Sequence, residues 1–192
     1  MLYSVKKEVF IMEKSKISAK NIAKCGMCTA LIAVCAWIQI PMTVPFTLQT
    51  FGVFVAIGLL GGKLGTMSVL AYVLLGACGV PVFAGFSGGL GVIAGTTGGY
   101  IVGFIASALI MWLFERLLGK SYPVMISSMI AGLLVCYILG TVWFMLVYSK
   151  NNGNVGLMQT LSWCVIPFVI PDAVKIFFAS IIVKAVRKYV NA

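Results

Sequence analysis

Hydrophobic positions in this chain gather into long unbroken runs, not the one-faced stripes of soluble helices, and prolines, glycines and lysines separate them. The first run covers residues 21–40, long enough at about 1.5 Å per residue to cross roughly 30 Å of hydrocarbon. Residues 41–50 are uncharged and cannot continue a helix past Pro41 and Pro45, which makes them an outer loop. Residues 51–60 and 64–80 read as two apolar helices hinged at Gly61-Gly62-Lys63. The first of these is short for a crossing, which is tolerable if the loop before it folds back into protein. Residues 81–100 hold seven glycines, Gly85, Gly88, Gly89, Gly91, Gly95, Gly98 and Gly99, and no charge, the pattern of a loop whose backbone can approach a ligand closely. Further spans follow over residues 99–118 and 124–148, the latter reaching a polar tip at 149–154. The last run, residues 157–186, is interrupted by Pro167 and Pro171. Because proline suits the first turn of a helix, the break is expected at Pro171.

Composition supports a membrane reading. With 61% hydrophobic and 9% charged residues and a mean hydropathy of +1.10, the chain lies outside the range of soluble domains. The expected fold is an all-α integral membrane protein with six transmembrane helices in one bundle. A cytoplasmic N-terminal arm over residues 1–20 precedes a membrane domain over residues 21–192. The arm mixes Lys6, Lys7, Lys14, Lys16 and Lys20 with Glu8 and Glu13, and also suits a short helix on the membrane surface.

The net charge of +10 would suggest nucleic acid in a soluble protein, but here the basic residues sit at the ends of apolar runs. Six spans put twelve of the fourteen basic residues on one side, leaving Lys150 outside and Lys175 within the membrane. That bias makes both termini cytoplasmic, in a multi-pass protein of a prokaryotic plasma membrane, with the lipid bilayer rather than nucleic acid as its surroundings.

Several chemistries fall away. The chain has no histidine and only four acids, Glu8, Glu13, Glu115 and Asp172, which removes histidine-based acid–base catalysis and most metal sites. No metal and no cofactor are expected. Cys25-x-x-Cys28 has redox spacing but opens a membrane helix without a second ligand pair, so it reads as structural. Gly85-Phe86-Ser87-Gly88 imitates an intramembrane serine protease, whose serine needs the missing histidine. Gly89-x-Gly91-x-x-Ala94 lacks a βαβ context, and neither Gly119-Lys120-Ser121 nor Gly62-Lys63 completes a nucleotide-binding loop. An enzyme is therefore the least favoured class. Uphill transport would need an ion gradient or another subunit to supply energy.

One charged pair remains inside an apolar run. Asp172 and Lys175 stand three residues apart in a helix, with Cβ atoms about 5–6 Å from each other, and a charge near the bilayer centre costs roughly 2.5–3.5 kcal/mol. Such a pair either locks a helix or holds a polar ligand, and the second reading is favoured. On the first helix, Ala19-x-x-x-Ala23 and Gly26-x-x-x-Ala30 form a smooth stripe suited to packing within the chain or against a partner.

Four stretches carry a resemblance. Val44-Pro45-Phe46-Thr47-Leu48-Gln49-Thr50, Gly79-Val80-Pro81-Val82-Phe83-Ala84-Gly85, Gly95-Thr96-Thr97-Gly98-Gly99-Tyr100, and Ile170-Pro171-Asp172 with Lys175 resemble, in the right order, the biotin-specific S components (BioY) of energy-coupling-factor transporters. Thr97 stands where the family run has proline. The resemblance implies a six-helix protein that captures biotin from outside and works with a transmembrane coupling protein and two cytosolic ATPase subunits. It also implies a coupling-protein contact on the small residues of the first helix, Ala19, Ala23, Gly26 and Ala30, with Gly26-x-x-x-Ala30 at the aligned position.

Biotin offers a ureido ring with two N–H donors and one carbonyl, an apolar body and a carboxylate. Asp172 is expected to accept from the ureido N–H groups. Lys175 is expected to donate to the ureido carbonyl or to pair with the carboxylate. Gln49 and Tyr100 are candidates for further polar contacts, and Phe46, Phe83, Phe86 and Trp163 for the apolar wall. The rival readings are an S component for another small vitamin, a self-sufficient secondary carrier, and a purely structural membrane subunit.

Overall fold

The computed structural model describes residues 18–190, so the expected arm lies outside the described residues except for Ser18, Ala19 and Lys20. The chain is almost wholly helical. In order it forms α1 (Ala19–Trp37), a two-residue strand β1 (Gln39–Ile40), β2 (Phe46–Thr47), α2 (Gln49–Leu60), α3 (Gly62–Ala77), a 3-10 turn (Ala84–Phe86), α4 (Leu90–Ala94), α5 (Gly98–Leu118), α6 (Tyr122–Asn152), α7 (Leu157–Cys164) and α8 (Ile166–Val190). Among the described residues, four stretches are long and apolar enough to cross a membrane: Ala19–Trp37, Gly98–Leu118, Tyr122–Lys150 and Leu157–Val190.

The 12-residue α2 is the centre of the bundle. It packs against α1, α3 and α8 and also touches α5 and α6. Its residues from Gly52 to Gly58 are buried without a break, so no side of it is left for lipid. At about 1.5 Å per residue it covers only some 18 Å, and its missing length is taken up by irregular chain. The stretch expected as an outer loop is folded inward: Val44, Thr47 and Gln49 are buried, and β1 pairs antiparallel with β2, Gln39 opposite Thr47 and Ile40 opposite Phe46. Backbone of this kind survives at membrane depth because protein or a cavity surrounds it. The same pairing ends α1 at Trp37, three residues before the expected Ile40.

Two other boundaries differ from expectation. The hinge is narrower than Gly61-Gly62-Lys63: Gly61 alone leaves the helix, at φ +80°, and Gly62 already begins α3. A Cβ on Gly62 would stand 2.4 Å from the Trp112 side chain of α5, which explains the small residue. The last run breaks at Val165, with φ −129° and ψ −56°, and not at Pro171, which lies inside α8. Pro167 is the residue that takes the first turn, where a missing N–H costs nothing.

The glycine-rich stretch is also more ordered than a loop. It folds as the 3-10 turn and α4 before α5 begins at Gly98.

α5 and α6 pack as one unit along a seam of small residues. Gly99, Gly103 and Ser107 on α5 meet Trp143, Cys136 and Gly132 on α6, and the Tyr100 ring lies against Gly140. Small residues let backbones approach closely where lipid gives no hydrophobic drive to associate.

At one end of the bundle, Lys24 of α1 donates to the Val190 carbonyl of α8, while Glu115 of α5 accepts from the Gly62 N–H at 2.8 Å and pairs with Lys120 at 3.2 Å. Glu115 thereby caps the start of α3 with a carboxylate, the favourable sign at a helix N-terminus. Replacing it by glutamine is expected to cost about 1 kcal/mol and to lower the thermal midpoint by roughly 2–4 °C. An unchanged midpoint in a detergent melt would show that the cap contributes nothing.

Candidate functional site

At the opposite end of α2 a cavity opens among α2, α5, α6, α7, α8 and the two loops. It encloses about 760 Å³ free of protein atoms, its open mouth included. Its walls are mainly apolar, with Val44, Phe83, Ile101, Phe104 and Phe168 among them, and its two charged groups stand on one helix.

That helix is α8. Phe168, Asp172, Lys175, Ile176, Ala179, Ser180 and Val183 recur at spacings of three and four and form its buried stripe. Val169, Ile170, Phe177 and Phe178 between them are exposed, as lipid-facing residues should be. Asp172 is 2% exposed and Lys175 6%, so both charges face the protein interior.

Lys175 Nζ donates to Asp172 Oδ1 at 2.7 Å and to Thr50 Oγ1 at 3.2 Å, and it stands 4.3 Å from the centre of the Phe46 ring. Thr50 Oγ1 in turn donates to Asp172 Oδ1 at 3.2 Å, and the Tyr137 hydroxyl donates to Asp172 Oδ2 at 2.5 Å. Such a network repays the desolvation that makes isolated buried charges prohibitive. The pair as a whole is electrically neutral.

Gln49 opens α2 on the cavity wall. Its amide donates to the Tyr72 hydroxyl at 2.5 Å and its carbonyl accepts from Thr47 Oγ1 at 3.1 Å. Tyr100 starts α5, lines the cavity and donates its hydroxyl to the Cys164 carbonyl at 3.2 Å, tying α5 to the break before α8. Phe83 is 1% exposed, lines the cavity and meets Tyr72 edge to face at 5.5 Å. A Cβ on Gly76 would stand 2.1 Å from the Phe83 ring, so that glycine makes room for the wall.

The structure thus brings Asp172, Lys175, Gln49, Tyr100 and Phe83 around one space. Phe46 sits one layer back, between Lys175 and Phe168, whose ring lies 6.1 Å away. Trp163 packs on Phe144 and Tyr148, away from the cavity wall. Phe86 is 63% exposed and stacks on Trp37 at 5.0 Å outside the cavity. On α1, Ala19, Ala23, Gly26 and Ala30 are all exposed, and a Cβ on Gly26 would meet nothing within 4 Å. Among the described residues, nothing packs over that stripe.

Two polar members were not found from the sequence. Thr50 ends a motif that was noticed for other residues. Tyr137 stands alone in the middle of the run from 124 to 148, while Tyr122 and Tyr148 mark the ends where interfacial tyrosines belong. A phenol at the centre of a span was a usable signal.

Comparison with known proteins agrees with this geometry. The biotin transporter BioY of Thermotoga maritima is 42% identical over 170 residues, covering 88% of this chain and 96% of that protein. The biotin transporter BioY of Rhodobacter capsulatus is 33% identical over 183 residues, covering 88% and 94%. A crystal structure of the S-component for biotin from an ECF-type ABC transporter superposes with a TM-score of 0.79 at 26% identity, over 90% of this chain and 95% of that one. These relatives are transporters, not enzymes. A family model described as the BioY family matches residues 12–192, and the chain, a multi-pass membrane protein, belongs to that family.

Proposed function

We propose that this chain is the biotin-binding substrate-specificity component of an energy-coupling-factor vitamin importer in a prokaryotic cell membrane. The observation that carries the reading is a buried acid–base pair, neutral as a whole, on the wall of a mainly apolar cavity. Biotin enters from the outside, at the end of the bundle away from Lys24, Glu115 and Lys120. Six crossings with both termini cytoplasmic suit that polarity, α2 and α3 making shortened ones inside the bundle.

The charge balance of the pair chooses an end of the ligand. Asp172 already neutralises Lys175, so a ligand carboxylate would bring a second negative charge to one cation in a low-dielectric site. A ureido ring brings none, and its N–H and C=O groups match an acceptor and a donor set side by side. The ureido ring therefore meets Asp172 and Lys175, the thiophane ring lies against Phe83 and its apolar neighbours, and Gln49 and Tyr100 supply the remaining polar contacts. Ala19, Ala23, Gly26 and Ala30 offer a smooth exposed face for the coupling protein, whose two ATPase subunits supply the energy.

The test is binding to the purified chain. Biotin and biotinamide are expected to raise its thermal midpoint alike, while N-alkylation of the ureido ring is expected to abolish the shift. Stabilisation by a different vitamin and not by biotin would replace this reading with an S component of other specificity. Uptake by proteoliposomes holding only this chain, driven by an ion gradient, would replace it with a secondary carrier.

The cavity also holds two thiols, Cys136 and Cys164, both buried. Bound biotin is expected to slow their modification by a small methanethiosulfonate at least about tenfold while leaving exposed Cys78 unaffected, as read by mass spectrometry. Equal rates with and without biotin would place the ligand elsewhere.

A further inference from the structure

The two oxygens of Asp172 are held in different ways. Oδ1 is shared by Lys175 Nζ from the same helix and Thr50 Oγ1 from α2, while Oδ2 receives a single donor, the Tyr137 hydroxyl, from α6 on the facing wall. The torsion that turns a carboxylate about its Cβ–Cγ bond is broad, so contacts on one oxygen leave the group free to rock. Contacts on both oxygens from two other helices fix its plane. The tyrosine is itself well anchored: α6 is locked to α5 through Gly103, Gly132 and Gly140, and Tyr137 carries its hydroxyl from the middle of that helix.

We infer that Tyr137 is a positioning residue for the ligand. It holds the plane of the Asp172 carboxylate so that the oxygens' uncommitted lone pairs face the cavity. A carboxylate held in this way, with two oxygens as acceptors, suits a ligand that presents two N–H donors. Thr50 works on the other side of the same carboxylate, donating to Asp172 and accepting from Lys175, so the pair keeps its spacing when a ligand carbonyl draws on the ammonium. The ligand thus bridges the unit made by α5 and α6 to the unit made by α2 and α8. The role toward the ligand rests on the biotin reading above; the hydrogen bond itself does not.

The experiment is a double-mutant cycle on the full chain in detergent with Tyr137→Phe, Asp172→Asn and the double variant, since phenylalanine keeps the wall and removes only the hydroxyl. Biotin affinity by calorimetry is expected to fall roughly ten- to a hundred-fold in Tyr137→Phe. In the Asp172→Asn background the same change is expected to matter less than about twofold, because the group it positions is no longer a carboxylate. The ligand-free melting midpoints should show the same shortfall from additivity. Full affinity in Tyr137→Phe, or an equal fold-loss in both backgrounds, overturns the assignment. If the unmodified chain binds no biotin, the proposed function fails on its own, and the melting cycle alone decides the positioning role: additive midpoints overturn it.

Discussion

Asp172→Asn and Lys175→Met are each expected to weaken biotin binding by roughly a hundred-fold or more, as measured by calorimetry on the purified protein. The two losses have different causes. Asparagine turns one of the two acceptor oxygens into a donor, which then faces the Tyr137 hydroxyl or the ligand N–H, and it leaves Lys175 charged with no countercharge, among a neutral amide oxygen, Thr50 and the Phe46 ring. Methionine removes the donor to the ligand carbonyl and strands the carboxylate on two hydroxyls. Removing one partner of a buried pair typically costs 3–5 kcal/mol, so both single variants should also melt earlier. The double variant separates the two effects. With both charges gone the stability should largely return, because a buried pair is often no more stabilising than neutral residues of like volume, yet biotin should still not bind. Affinity within a factor of two of the parent in both single variants would remove the pair from the site.

The second large effect is expected from Gly99→Leu on α5. A Cβ at that position would stand 2.2 Å from Trp143 Cβ and 2.9 Å from the Leu139 carbonyl, so α6 must move away for the side chain to enter. Overpacking of this kind costs about 3 kcal/mol where a backbone has to shift. The damage reaches the site because Tyr100 lies next in sequence against Gly140, and Tyr137 rides on the displaced helix. A lower yield of monodisperse protein, an earlier melt and lost biotin binding should appear together. Gly91→Leu is the control, since a Cβ there meets nothing within 4 Å. A normal melt with intact binding in Gly99→Leu would mean that the seam does not hold the two helices in register.

The apolar runs that became α1, α3, α5, α6 and α8 were legible because a bilayer demands length and hydrophobicity, and both can be counted along a chain. The charged pair was legible for the same reason: a carboxylate and an ammonium in hydrocarbon need an explanation, and their spacing puts them on one face. The break at Val165 was ambiguous because two prolines offered a place for it. Both Pro167 and Pro171 fit an early turn, and only the packing of Cys164 and Phe168 into the cluster with Val44 and Phe144 chose between them. Phe86 and Trp163 were candidates for the apolar wall, yet their rings found aromatic partners outside it.

By itself the sequence determined a membrane protein, its main crossings, the side on which its lysines gather and the one place where charge is kept in the apolar interior. These follow from local composition, which transfer free energies act on residue by residue. Only the tertiary structure decided that α2 is a short central post, that the 41–50 stretch folds in to close the space above it, and that Thr50 and Tyr137 complete the shell around Asp172. Those contacts join residues up to 122 positions apart, and nothing in the local pattern fixes which neutral hydroxyl will meet a given carboxylate once the helices have packed.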